Sequence, residues 1–148
     1  MPRYLIVLVL AGFLACGNRG TQSEQSRRED DFRKMLHGAT LNGRFSSTNS
    51  DRISADKYTI SSVSKLAGDL WTINTRIQYG DHDVTVPVPV HVTWAGDTPV
   101  LSLTNAGIPG LGTFTARVLF YGDQYAGTWS SNKGHGGQLF GKLDRPAH

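Results

Sequence analysis

The stretch that decides the fold reads Leu70-Trp71-Thr72-Ile73-Asn74-Thr75-Arg76-Ile77-Gln78-Tyr79-Gly80-Asp81-His82-Asp83-Val84-Thr85-Val86-Pro87-Val88-Pro89-Val90-His91-Val92-Thr93-Trp94-Ala95. Before Gly80, the residues Trp71, Ile73, Thr75, Ile77 and Tyr79 share one face against Thr72, Asn74, Arg76 and Gln78. After Asp81, the valines 84 to 92 and Trp94 share a face against Thr85, Pro87, Pro89, His91 and Thr93. Alternation of period two over this length marks strands with one buried side. Each buried valine contributes on the order of 1.5 kcal/mol or more, which outweighs anything the Thr/Pro/His face could gain. The valines are therefore expected inside with Trp71, Ile73, Ile77, Leu101, Leu103 and Trp129. Arg76, Thr85, His91 and Thr93 are expected in water.

The same punctuation recurs outward from this hairpin. Gly-Asp stands at 68–69, 80–81, 96–97 and 122–123. Glycine supplies the positive φ that opens a type II′ turn, and aspartate tolerates the second position. Strands are predicted at 41–48, 57–66, 70–79, 83–95, 98–104, 112–121, 124–131 and 137–143, with a longer connection at 105–110. Short links between sequential strands make an antiparallel meander. Eight such strands close naturally into an all-β up-and-down barrel, which removes exposed edges; a two-sheet sandwich is the alternative. Pro87 and Pro89 both lack a donor on the same side of their strand, so the ladder there should be an edge or a gap.

The N-terminus carries a different signal. Arg3 precedes an apolar run over residues 5–15 that ends Phe13-Leu14-Ala15-Cys16. A charged start, a short apolar core and a small residue before the cut describe a secretory signal peptide over 1–15. The run is too short to span a bilayer. The motif resembles the lipobox of bacterial lipoproteins, with Phe13 where leucine is usual. The resemblance implies a diacylated Cys16 as new N-terminus, anchored in the cell envelope. Gly17, in place of aspartate, implies the outer membrane of a Gram-negative host. The other reading is an ordinary cut near Ala15 that leaves Cys16 a free thiol.

Residues 16–31 are nearly devoid of apolar side chains and read as a flexible lipid-anchored tether. Ser26 and Glu29 form a capping-box pattern ahead of Phe32, Met35 and Leu36, which predicts a short helix over 28–36. The domain proper is then 32–148, a size that can bury its own core. With one cysteine in 148 residues, no disulfide can form within the chain. The formal charge of +3 is spread over scattered segments, unlike the concentrated face of a nucleic-acid binder. No nucleic-acid partner is expected.

Chemistry-bearing patterns are sparse. There is no Gly-x-Ser-x-Gly elbow, and Gly134-His135-Gly136-Gly137 reads as a glycine-rich hairpin loop. Asp81-His82-Asp83 gathers three donors, with His91 and His135 elsewhere, but His82 and His91 fall on opposite faces of one strand and no pair has zinc spacing. Neither a catalytic set, a metal site nor a cofactor is expected. The aromatic content is more informative. Trp71, Trp94, Phe114, Phe120 and Trp129 lie on predicted strands, and an eight-stranded barrel either fills its interior or holds one small ligand. These five residues are the candidate pocket lining, with a solid aromatic core as the other reading.

Two resemblances extend this picture. Trp94-Ala95-Gly96-Asp97-Thr98-Pro99, Ile108-Pro109-Gly110-Leu111-Gly112-Thr113-Phe114, Tyr125-Ala126-Gly127-Thr128-Trp129 and Gly136-Gly137-Gln138-Leu139-Phe140-Gly141 resemble a family of small exported bacterial proteins without assigned function. The architecture resembles calycins, the lipocalin and avidin-like barrels, although Gly43-Arg44-Phe45 stands where lipocalins carry Gly-x-Trp. That likeness implies a barrel for a small apolar or amphipathic ligand, and the lack of a catalytic set makes a non-enzymatic role the expectation. The alternative expectation is an envelope module that contacts protein or glycan through its outer surface.

Overall fold

The computed structural model describes residues 18–146; the signal-peptide and Cys16 readings lie outside them. Helix α1 (Asn18–Leu36) precedes eight strands: β1 (Thr40–Ser47), β2 (Ser50–Ala67), β3 (Leu70–Tyr79), β4 (His82–Ala95), β5 (Thr98–Ile108), β6 (Gly112–Tyr121), β7 (Gln124–Ser131) and β8 (Gly136–Asp144). They pair antiparallel in chain order, and β1 pairs with β8 from Thr40↔Asp144 to Phe45↔Leu139, which closes a barrel. The meander is thus a barrel and not a sandwich. Ala67↔Leu70, Tyr79↔His82 and Ala95↔Thr98 flank two-residue turns, as does Tyr121↔Gln124. In each turn the glycine has positive φ while its aspartate does not, the pattern that a type II′ turn requires.

The valine face points inward as expected. Val86, Val88, Val90 and Val92 are buried between exposed neighbours, and Trp71, Ile73 and Ile77 are buried opposite them. Arg76, Thr85, His91 and Thr93 are exposed. Outside, Arg76 grips Asp83 through two hydrogen bonds of 2.7 and 2.6 Å, and His91 meets Asp69 at 2.9 Å.

Pro87 and Pro89 interrupt the wall on one side. Pairing with β3 runs unbroken through Asn74↔Pro87 and Thr72↔Pro89. Pairing with β5 covers only His91↔Ser102 to Ala95↔Thr98. Counting from the turn, the even positions of β4 bond to β3 and the odd positions face β5, so both missing N–H donors fall on the unpaired side. Facing them, β5 bulges between Leu103 and Ala106. Asn105 takes φ +49° there and donates its N–H to Thr115 Oγ1 at 2.9 Å. That bulge lets β5 continue to Ile108 through residues expected as a loop. β2 likewise begins at Ser50, seven residues early, because its polar start pairs with β1 on an exposed part of the wall and carries no alternation.

The helix is the larger departure. It starts at Asn18, so most of the expected tether is helical. Gln, Glu and Arg are good helix formers, and the Gln25 amide donates to Glu29 at 2.9 Å one turn on. Ser26 does not cap: its hydroxyl donates back to the Gln22 carbonyl at 3.0 Å, inside the helix. The C-terminal half docks on the barrel. Phe32 is 1% exposed and Leu36 0%. Phe32 meets the rings of Trp71 and Trp94 edge-on at 5.3 and 6.2 Å. The Arg33 guanidinium lies 5.4 Å from the Trp71 ring, and Lys65 pairs with Glu29 at 2.7 Å. The α1 helix therefore plugs the end that carries the β2–β3 and β4–β5 turns.

Candidate ligand-binding site

A cavity of about 480 Å³ occupies the rest of the barrel. Its floor includes Leu36 of the plug and Leu41, and it reaches the opposite end at Leu111, Asn132, Lys133 and His135. Ile73, Ile77, Val88, Val90, Leu101 and Leu103 wall one side. Of the residues expected to line a pocket, Phe114, Phe120 and Trp129 do so. Trp71 and Trp94 are not among the lining residues; their rings are taken up by Phe32. Both point inward, but they sit beside the turns at 68–69 and 96–97, at the end the helix fills.

Near the other end the rings form a collar. Phe45 packs edge-on against Tyr79 at 5.9 Å and Trp129 at 5.8 Å, and Phe114 lies 6.4 Å from Trp129. Trp129 Nε1 donates to the Ser46 carbonyl at 3.0 Å, which fixes the indole in place. The His82 ring lies tilted against Tyr79 at 4.8 Å, and Asn49 contacts His135 outside the collar. Asp83 is held by Arg76 and Gln78. Among the described residues no three His, Cys, Asp or Glu side chains are placed to share a metal ion.

One polar cluster interrupts the apolar wall, and it was not expected from sequence. Asp56, Gly43, Gly141 and Tyr125 form a single cross-strand row over β2, β1, β8 and β7. The two glycines leave room for the Tyr125 side chain to lie across them toward Asp56. A Cβ on Gly43 would collide with Tyr125 Oη and stand 2.8 Å from Asp56 Oδ1; one on Gly141 would stand 2.8 Å from Tyr125 Oη. Tyr58, two residues along β2 on the same face, donates its hydroxyl to Asp56 Oδ2 at 3.0 Å. Asp56 Oδ1 and Tyr125 Oη are buried with no hydrogen-bond partner. Asp56, Tyr58 and Tyr125 all line the cavity.

Burial dominates the electrostatics here. It pushes the Asp56 carboxyl above its ordinary pKa, against the lowering effect of the Tyr58 and backbone hydrogen bonds. Burial and then the Asp56 charge raise Tyr58 well above the usual phenol value, and the same causes in the same order raise Tyr125. Both phenols stay protonated at neutral pH and can donate. The site thus combines an apolar tube, an aromatic collar and one buried carboxyl–phenol cluster. No family model, curated protein or solved structure matches the chain.

Proposed function

We propose that this chain is a lipid-anchored, non-enzymatic envelope protein whose barrel binds one small apolar or amphipathic molecule. The observation that carries the reading is the interior cavity of about 480 Å³ walled largely by apolar side chains. Its size lies within the range of small-molecule pockets, which pair apolar walls with a few placed polar groups. A barrel whose tryptophans and valines merely filled volume would leave no such space. Anchoring through diacylated Cys16 rests on the lipobox resemblance, and it would hold the barrel at a bacterial membrane surface, the outer membrane in a Gram-negative host. Native mass spectrometry of the full chain, extracted from its own host in mild detergent, tests the reading. A retained small molecule released on unfolding supports it. A uniformly empty barrel that also fails to take up hydrophobic probes rejects it.

A specific observation favours the second reading, an outer surface that contacts protein or glycan. Leu119 and Tyr121 of β6 and Phe140 of β8 are exposed on either side of β7, with Leu119↔Ala126↔Phe140↔Arg44 in one cross-strand row. Lys142 and Lys57 flank the next row. Apolar surface rimmed by cations is the composition of a contact patch.

A further inference from the structure

We infer that the interior ligand carries a hydroxyl head group, seated between Asp56 and Tyr125, with its apolar tail in the tube. The inference rests on the ligand-binding reading above and specifies its chemistry. Asp56 is 6% exposed and Tyr125 2%, yet Asp56 Oδ1 and Tyr125 Oη have no partner. A buried polar atom left unpaired costs far more than a paired one. Asp56 and Tyr125 line the same apolar cavity, so their two unpaired atoms define a socket. Their positions are deliberate in the wall: Gly43 and Gly141 occur in the row where any side chain would block the phenol's reach.

The two orphan atoms differ in what they ask for. Asp56 Oδ1 accepts, while its partner oxygen is already committed to the Tyr58 hydroxyl. Tyr125 Oη–H can donate as well as accept. A hydroxyl satisfies both at once, donating to Asp56 Oδ1 and accepting from Tyr125. A carboxylic acid would set two carboxyl groups side by side, and one would have to take up a proton to stay. An ether accepts but leaves Oδ1 unpaired. An ammonium donates to both but leaves the Tyr125 proton without an acceptor.

Displacement of N-phenyl-1-naphthylamine from the full chain by 1-decanol, decyl methyl ether, decanoate and decylamine tests the assignment. Decanol should displace the dye roughly tenfold more tightly than the ether, the scale of one hydrogen bond to a buried charged group. Decanoate should be weakest. Tyr125→Phe keeps the ring over the glycines, and Asp56→Asn keeps the shape of the carboxyl. Each should shrink the preference for decanol over the ether, with both competitors referred to that variant's own dye affinity. If the dye binds but all heads compete equally in the parent, the socket is filled by water or by a direct Asp56–Tyr125 bond, and the inference is overturned while the cavity reading stands. Tighter binding of decylamine than decanol assigns the site to a cation and overturns it too. A chain that binds no dye overturns both.

Discussion

Phe32→Ala is the sharpest probe of the plug. Phe32 is 1% exposed and lies between the rings of Trp71 and Trp94. Withdrawing a phenyl group from such a site forfeits about 2–3 kcal/mol of burial, and the void left behind brings a Phe→Ala change to about 3–5 kcal/mol. The upper half of that range is expected, because both indoles belong to paired strands and cannot collapse into the gap. Each edge-on ring contact, worth about 0.5–1.5 kcal/mol, is lost within that total. Urea unfolding followed by tryptophan emission measures it: the midpoint should fall with the slope unchanged. In the folded variant the emission should shift red, since Trp71 becomes wetted while Trp129 stays bonded to the Ser46 carbonyl. A cost below about 1 kcal/mol with parental emission would show that the helix does not seat on the barrel, and the cavity would then be open at both ends.

The remaining predictions are compact. Asp56→Asn should stabilise the chain at pH 7 by on the order of 1 kcal/mol, since an amide keeps the shape of the carboxyl without a buried charge; because the folded carboxyl titrates above its ordinary value, the native state binds that proton more tightly than the unfolded chain. Asp56 therefore costs stability above its folded pKa and the cost disappears as pH falls toward the unfolded value, so the parent-minus-variant difference should shrink on acidification; a constant difference from pH 7 to 3 would refute this. Amide exchange at Thr104, facing Pro89 across the gap, should be much faster than at Ser102, which pairs with His91; equal protection would mean that the ladder continues. Cys16→Ser should release the protein from membranes or block its processing, because stable attachment takes more than one acyl chain, and unchanged partitioning would reject acylation. Replacing Tyr121 and Phe140 together by serine should leave unfolding within about 0.5 kcal/mol of the parent yet abolish any surface contact that crosslinking detects in the envelope.

Much of the barrel was legible because period two is a local signal. The strands 70–79, 112–121 and 124–131 coincide with β3, β6 and β7, each bounded by a turn that glycine chemistry announces. The prolines also read correctly, since a missing donor has a direction once the turn fixes which positions face which neighbour. The helix start did not. Apolar spacing began only at Phe32, and the preceding turns owe their helicity to propensity and to polar pairs such as Gln25 with Glu29, which leave no periodic trace. Similarly, residues 50–55 pair with β1 without burying a face, so nothing in their order distinguished them from a loop.

The site was half legible for a related reason. Alternation reports which face of the wall a side chain occupies, but not its height in the barrel. Trp71 and Trp129 are equivalent on the first count and differ on the second, and the height decides that Phe32 packs on one while the other joins the collar. Turn parity carries that information: links one strand apart alternate between the two ends, so an aromatic beside Gly68-Asp69 shares its end with one beside Gly96-Asp97. The Asp56–Tyr125 pairing lies beyond even this. It depends on the registers of three successive ladders, β2 on β1, β1 on β8 and β8 on β7, and the closing ladder joins residues about a hundred positions apart. A one-residue slip in any of them would turn Asp56 or Tyr125 to the outer face. Closure of the barrel is thus what creates the polar socket, and the two glycines beside it are its only local trace.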